Sequence, residues 1–312
     1  MKPDLSVIIP TKERGEILLV TLDSIKKKKK NLKIEIIVVN DSKNEKLVIN
    51  DENVKIIDNP NQGAASARNY GASIAKADYL LFLDDDMIVC EDVLQEILLK
   101  SKENTKSIYL PNWKYSNQNL LKLSNYNFGR FLIKINYTSL EGWLGKKIEN
   151  YNEVRHNGMA SYFFLISKEN FNNLNGYNPN FKFAGFEDHD MTRRLLLIGF
   201  NFYILPNLVL THNETDRIKL KDWLNRRRRN AFTQKIAFEL GYENLKINYS
   251  FAKKNLLLFV GIFDFIFIRF VNIFKNVSFL DKICFKIIDL LTALYIYKGY
   301  KYDYDKFKNK SI

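Results

Sequence analysis

A chain of 312 residues with 46% hydrophobic and 14% aromatic side chains can hold one large domain with an appendage or two small domains, and these fractions exclude a disordered polymer. Lys and Arg number 48 against 35 Asp and Glu, a net charge of +13 that suits phosphate, anionic lipid or nucleic acid, although the wealth of Lys, Asn and Ile also fits drift towards AT-rich codons. Cys90 and Cys284 form neither a metal nor a disulfide pattern, and the apolar run from Leu5 is too short and too early for a signal peptide, so a catalytic part facing the cytoplasm is expected.

β-Branched apolar runs at 6–9, 34–39, 54–57 and 79–83 read as strands, and 16–27, 64–75 and 91–100 as helices, the last opened by Glu91 and Asp92. This alternation predicts an α/β fold: a Rossmann-like, mainly parallel sheet flanked by helices, with ligands beyond the carboxyl ends of its strands. The stretch 112–157, rich in Asn, Tyr and Lys, carries no readable motif. A second unit follows, with strands at 160–166, 202–205 and 208–211 around a helix at 187–198 whose Met191, Leu195 and Ile198 form the expected buried stripe. From Arg217 onward the pattern is helical, and 255–274 and 283–297 are its most hydrophobic parts.

Asp84-Asp85-Asp86 directly follows the apolar run 79–83. Alternation along an extended chain puts Asp84 and Asp86 on one side and turns Asp85 away. Two carboxylates about 4 Å apart repel by roughly 4 kcal/mol at an effective dielectric near 20, and a hard divalent cation, Mn²⁺ or Mg²⁺, relieves this while bridging phosphate oxygens. The plainer reading is a solvated acidic turn capping the helix at Glu91; in the metal reading Asp86 is expected as a solvent-facing loop acid whose loss leaves the fold intact. In 61–71 the small residues let a helix approach the sheet and offer its first amides to phosphate, with Arg68 adding a charged contact; a plain packing helix with a surface Arg is the alternative. Asp41, at the end of the second strand, could accept the imide N–H of a pyrimidine or simply form a turn. Pro10, Thr11 and Glu13 follow the first strand in the corresponding position. Trp223, Arg226, Arg227 and Asn230 share a helical face that could meet phosphates or only solvent.

The ordered segments Ser6-Val7-Ile8-Ile9-Pro10-Thr11, Val39-Asn40-Asp41-Ser42, Gly63 to Gly71, Leu83-Asp84-Asp85-Asp86, Gly176-Tyr177-Asn178 and Gly185-Phe186-Glu187-Asp188-His189-Asp190-Met191-Thr192-Arg193-Arg194-Leu195 resemble glycosyltransferase family 2, the large inverting GT-A group. The resemblance runs from Leu5 to about Asn230. It implies that Asp41 reads the base, that Asp84 supports the ribose or the metal, that Asp86 binds the metal and that Asp188 is the catalytic base, with Glu187 as the alternative. It implies that Pro10, Thr11, Glu13, Arg68 and Asp85 line the nucleotide-sugar site. His212, just after an apolar strand, stands where family members often carry a metal-ligating His. Asn40 replaces the first of two acids common at the second strand end, which loosens the expected base preference.

The expectation is then a catalytic domain over 1–215, with a nucleotide-sugar half to about 111 and an acceptor half over 112–215, and a helical, basic and apolar region over 216–312 associated with a membrane. The expected activity moves a single sugar, by inversion, from a UDP-sugar, or a dTDP- or GDP-sugar, to a hydroxyl of a saccharide or lipid-linked acceptor in cell-surface polysaccharide or glycolipid synthesis. The pattern of a Gln or Arg two residues before Arg-Trp, which marks processive synthases, is absent. A peripheral position on the cytoplasmic face of an anionic membrane is expected, without nucleic acid and with oligomerisation open. Asp264 and Arg269 argue against a spanning helix in 255–274, and Lys282, Lys286 and Asp289 make one polar stripe on the next helix. A sugar-nucleotide pyrophosphorylase would need a Gly-rich basic loop after the first strand, and a basic nucleic-acid or lipid module would leave the ordered acids without a task.

Overall fold

The computed structural model describes residues 2–43, 46–181, 184–216 and 219–304; the expected helical start at Arg217 and the last residues 305–312 lie outside the described residues. The chain opens with β1 (Leu5–Thr11), α1 (Gly15–Lys28), β2 (Ile34–Asn40), β3 (Val54–Asp58), α2 (Ala64–Ile74), β4 (Tyr79–Leu83), β5 (Met87–Ile88) and α3 (Val93–Glu103). It continues with β6 (Ser107–Tyr115), α4 (Asn117–Ser124), α5 (Asn127–Lys134), α6 (Leu140–Leu144), β7 (Val154–His156), β8 (Phe163–Ser167), α7 (Lys168–Asn173), α8 (Glu187–Leu197) and β9 (Asn201–His212). Four helices follow: α9 (Leu220–Glu239), α10 (Phe251–Ile262), α11 (Asp264–Ile273) and α12 (Asp281–Tyr297).

Two compact units result, one of Met1–Lys114 and Leu144–Asn213, the other of Tyr115–Trp143 and Glu214–Ile312. In the first, a sheet of order β3-β2-β1-β4-β8 is parallel through β4 and antiparallel at β8. Its inner strands bury Val7, Ile8, Ile9, Leu81 and Phe82 completely, which is why they read as continuous apolar runs. The helix α2 lies close on β1: a Cβ at Gly71 would stand 2.4 Å from the Ile8 Cγ2, so only glycine permits this approach. A smaller sheet has the order β5-β9-β6, with β7 also on β9.

Three differences from the expected elements have local causes. The strands expected at 202–205 and 208–211 are one, β9; Pro206 falls between its pairing with β7 at Phe202–Ile204 and with β5 at Thr211–His212, where a missing N–H breaks no bond of either ladder. The expected stripe of α8 buries Met191 and Leu195 but leaves Ile198 40% exposed, because the helix has ended and Ile198 caps it. The unreadable stretch begins inside β6, whose residues are nearly all buried, and goes on through α4, α5, α6 and β7.

The second unit is helical. Asn127 donates from its backbone N–H to the Lys275 carbonyl at 2.6 Å and from its amide to the Val271 carbonyl at 2.8 Å, and Arg130 holds Asp281 through both its Nε and Nη2 at 2.7 Å. These bonds draw 115–143, expected within the acceptor half, to the C-terminal helices. Cys284, Ile288, Leu291, Leu294 and Tyr297 of α12 are buried inside this unit, with Trp223 of α9 donating to Thr292 at 3.2 Å.

Candidate functional site

Because β1 and β4 are parallel neighbours, the loops after Thr11 and Leu83 share one rim. There Asp85 is buried and its carboxylate accepts the Thr11 hydroxyl at 2.7 Å and an ion pair from Arg14, while Thr21 donates to its carbonyl at 2.8 Å. Asp85 thus meets the β1 loop and braces the rim, while sharing the Arg14 guanidinium with Asp86. Asp86 corrects the expectation of a solvent-facing acid, for it is only 4% exposed.

Asp86 is flanked by the Arg14 Nη2 at 2.9 Å and the His212 Nε2 at 3.5 Å. Burial alone would raise its carboxyl, but His212 and Arg14 outweigh burial and hold it well below the usual carboxylate range. His212 comes to this point because β9 pairs with β5, setting His212 opposite Met87, and because Asn213 donates its N–H to the Asp86 carbonyl at 2.7 Å. The Trp113 ring meets the His212 ring edge-on at 4.9 Å and fixes its plane. A buried, ionised carboxylate beside an imidazole nitrogen is an oxygen–nitrogen donor pair that can hold Mn²⁺ or Mg²⁺, so the residues fit the expected cation.

Arg68 joins two motifs distant in sequence. It is 3% exposed, donates to Asp84 at 2.9 Å and to Glu187 at 3.1 Å, and lies over the Tyr177 ring at 5.3 Å. The alternative of a surface Arg is therefore wrong. Burial works against its charge, but Tyr177, Asp84 and Glu187 together raise its already high value further. Glu187 is pushed up to about 7, by burial first and then by Asp188, with Arg68 and the Gly185 N–H opposing. Asp84 keeps 37% of its side-chain surface open, yet desolvation, Asp86 and Asp188 raise its carboxyl against the pull of Arg68.

Asp188, beside Glu187 in the first turn of α8, is half-buried and accepts two bonds from Ser161, one from its hydroxyl and one from its N–H at 3.1 Å. The turn into α8 passes through Phe186 at φ 68°, a left-handed conformation that costs a non-glycine residue on the order of 1–3 kcal/mol and here aims the two acids. Asn69 clasps Tyr177, donating to its carbonyl and accepting from its N–H, both at 2.8 Å. Gly176, at φ 65° and so close that a Cβ would stand 2.5 Å from the Asn69 Oδ1, allows that clasp.

Asp41 sits at the end of β2, where its carboxylate accepts from the Gly63 N–H at 2.9 Å and the Asn59 amide at 2.6 Å, tying β2 to the start of α2. Pro10 lies in β1 opposite Val39, and Glu13, at φ 55°, is exposed and accepts from Ser42 at 3.3 Å. Asn40, in place of an acid, is buried and bonds Asp58 at 3.1 Å and the Ser42 N–H at 3.1 Å.

Sequence reasoning passed over four residues. Arg14, directly after Glu13 in the loop past β1, had no assigned task. Ser161 gave no signal, and Asn69 had one only through its place beside Arg68. Glu214 stands two residues past His212; in the second unit it accepts the Tyr115 hydroxyl at 2.8 Å and pairs with Arg226.

The chain matches Glycosyl transferase family 2 over residues 6–171 and the N-terminal domain of galactosyltransferase over residues 146–219. An uncharacterized glycosyltransferase of Haemophilus influenzae is 37% identical over 115 residues, 34% of this chain and 38% of that protein. The glycosyltransferase GlyG of Streptococcus pneumoniae is 23% identical over 281 residues, 87% of each chain. A crystal structure of GalNAc-T7 with UDP, GalNAc and Mn²⁺ superposes with a TM-score of 0.52 at 17% identity, over 68% of this chain and 43% of that one, a likeness of fold. The matches thus span well under half the length of the Haemophilus protein and of GalNAc-T7. With the family matched over more than half of its length, the chain belongs to glycosyl transferase family 2 and is a glycosyltransferase of the GT-A fold.

Proposed function

We infer that this glycosyltransferase moves one sugar from a nucleoside diphosphate to an acceptor hydroxyl in a single displacement that inverts the anomeric centre. One observation carries the reading: Arg68 bonds Asp84 of the strand-end triad and Glu187 of the α8 start at once, so the acids expected to serve the donor and the acceptor share one buried charge network. In this reading the stretch to about 111 holds the nucleotide, with Asp41 near the base and Pro10, Thr11, Glu13, Arg68, Asp84 and Asp85 around the donor, and the part of the expected acceptor half that stays in the first unit, 144–213, faces the acceptor.

Asp86, with His212 and Asp84, would hold a divalent cation, which when bound supplies positive charge to the diphosphate as the glycosidic bond breaks. Asp188 is the base that takes the acceptor proton: it is the less buried of the two acids, and its two bonds from Ser161 fix one orientation. Glu187, nearly wholly buried and turned to Arg68 and the Gly185 N–H, keeps Arg68 aimed at Asp84. The donor is a UDP-sugar, for which the UDP and Mn²⁺ in the GalNAc-T7 crystal structure are support; dTDP and GDP remain open through Asn40. The acceptor is a saccharide or a lipid-linked saccharide of cell-surface polysaccharide or glycolipid.

A basic module for nucleic acid has less support. Lys26, Lys27, Lys28 and Lys30 each pair with a carboxylate, and Arg226 and Arg228 with Glu214 and Asp303. The test is a panel of UDP-, GDP- and dTDP-sugars, read by metal-dependent thermal stabilisation and slow hydrolysis, followed by NMR of the anomeric centre of the product. Stabilisation and hydrolysis with one nucleotide and retention of configuration would refute inversion alone; no response to any donor would refute the reading.

A further inference from the structure

In a soluble helical unit each helix buries one apolar face and turns a polar face to water. α12 does so, and α10 and α11 do not. Of the 22 residues in α10 and α11, only Leu257, Val260 and Val271 are buried. Phe251 is 81% exposed, Phe259 58%, Ile262 73%, Phe265 68% and Ile266 58%. At 100° per residue, the exposed apolar side chains of α10 cover an arc of about 160°, wider than the seam of a helix laid against one partner helix. Phenylalanines at about 200 Å² each make this alone a patch of several hundred Å², the size that marks an interaction surface.

The charges around the patch select the partner. Between 250 and 286 the basic residues are Lys253, Lys254, Arg269, Lys275, Lys282 and Lys286, all exposed, against Asp264 and Asp281. Both acids already have cations, Lys298 at 2.7 Å and Arg130 at 2.7 Å, so the uncompensated charge at both ends of the helix pair is positive. No single helix among the described residues is long and apolar enough to cross a membrane; α10 and α11 together reach that length but are bent by 65°. The bend is tied through Asp264 to Lys298, the residue just past α12, and Arg269 lies in the second leg, both of which resist full insertion.

We propose that α10 and α11 seat this chain on a bilayer with anionic headgroups, their exposed Phe, Ile and Leu entering one leaflet and the lysines at both ends of the pair meeting lipid phosphates. This goes beyond the transfer reaction and does not depend on it. The experiment is flotation of the full chain with vesicles of phosphatidylcholine alone and of phosphatidylcholine with phosphatidylglycerol, alongside analytical ultracentrifugation without lipid. Wild-type protein rises with the anionic vesicles, and less so at high salt. The variant Phe259→Asp/Ile262→Asp/Phe265→Asp stays at the bottom with an unchanged circular dichroism spectrum, since these side chains are exposed. Lys253→Gln/Lys254→Gln/Lys275→Gln lowers partition onto anionic vesicles by about fivefold per lysine and leaves it unchanged on neutral ones. Wild-type protein that stays at the bottom with both vesicles overturns the proposal, as does a triple-Asp variant that floats undiminished. A dimer that forms without lipid, is lost in the triple-Asp variant and does not float would give the face to a second copy, and also overturns it.

Discussion

Arg68→Met removes the one cation between Asp84 and Glu187 while filling most of the space. Breaking a buried ion pair by deleting one partner costs about 3–5 kcal/mol, a large share of a typical stability of about 5–15 kcal/mol. The pH at which that cost appears is set by Glu187. Its carboxyl stands at about 7 in the folded chain against an ordinary 4.5, so the native state binds this proton more tightly than the unfolded state. Its contribution to stability is therefore fully present below pH 4.5 and lost as the pH rises through about 7, some ~3 kcal/mol across that window. Arg68 opposes that rise; without it the folded value climbs and the loss extends above pH 7. Urea unfolding should then show a penalty for Arg68→Met of about 3–5 kcal/mol at pH 8 and a smaller one at pH 5, where protonated Glu187 no longer needs the cation and the lost contacts are those to Asp84 and to the Tyr177 ring. Arg68→Met/Glu187→Gln should recover part of the loss at pH 8. Equal penalties at the two pH values, or a penalty under about 1 kcal/mol at pH 8, would refute the buried bridge.

Asp188→Asn should lower turnover by about 10²–10⁴-fold with donor affinity retained; near-normal turnover there, with Glu187→Gln inactive, would move the base to Glu187. Asp86→Ala should abolish the difference in donor affinity between Mn²⁺ and EDTA in isothermal titration, and equal affinities in the wild type would remove the proposed metal site. Since Asp86 is buried between Arg14 and His212, the same variant should also lose about 1–3 kcal/mol of stability in thermal or urea unfolding. Gly71→Ala should cost about 1–3 kcal/mol by forcing α2 away from Ile8, read by urea unfolding; a neutral result would mean that α2 shifts freely on the sheet.

The parallel sheet was legible because its inner strands are buried on both faces and read as unbroken apolar runs, each ending at a polar loop. Thr11, Asp41 and Asp84 were singled out that way, at the carboxyl ends of β1, β2 and β4. Harder to read were tasks set by contacts between distant segments. Arg68 meets Asp84 and Glu187 at separations of 16 and 119 residues. Asp188 meets Ser161 at 27. No periodicity reports such pairs, and Ala-Arg-Asn within a small-residue helix looks the same whether its arginine faces water or a buried acid. The stretch 115–143 is the same case on a larger scale: Asn127 and Arg130 find their partners 144 and 151 residues downstream.

The charge pattern also changes what a single substitution can reveal. Asp85 and Asp86 share Arg14, Asp84 and Glu187 share Arg68, and Asp86 also faces His212, so each cation serves acids with different proposed tasks. Removing Asp85 would free Arg14 to draw closer to Asp86 and compete with a cation there, although Asp85 itself need touch neither metal nor donor. Removing Glu187 would let Arg68 turn wholly to Asp84, and so alter donor binding from the acceptor side. The effects of Asp85→Asn and Asp86→Asn on metal-dependent donor binding should therefore be non-additive, because they act through one arginine, whereas Asp85→Asn and Asp188→Asn should add. A double-mutant cycle separates the two arrangements: coupling of about 0.5–3 kcal/mol in the first pair and none in the second fits the shared Arg14, and additivity in the first pair would mean that Arg14 braces the loop without tuning Asp86.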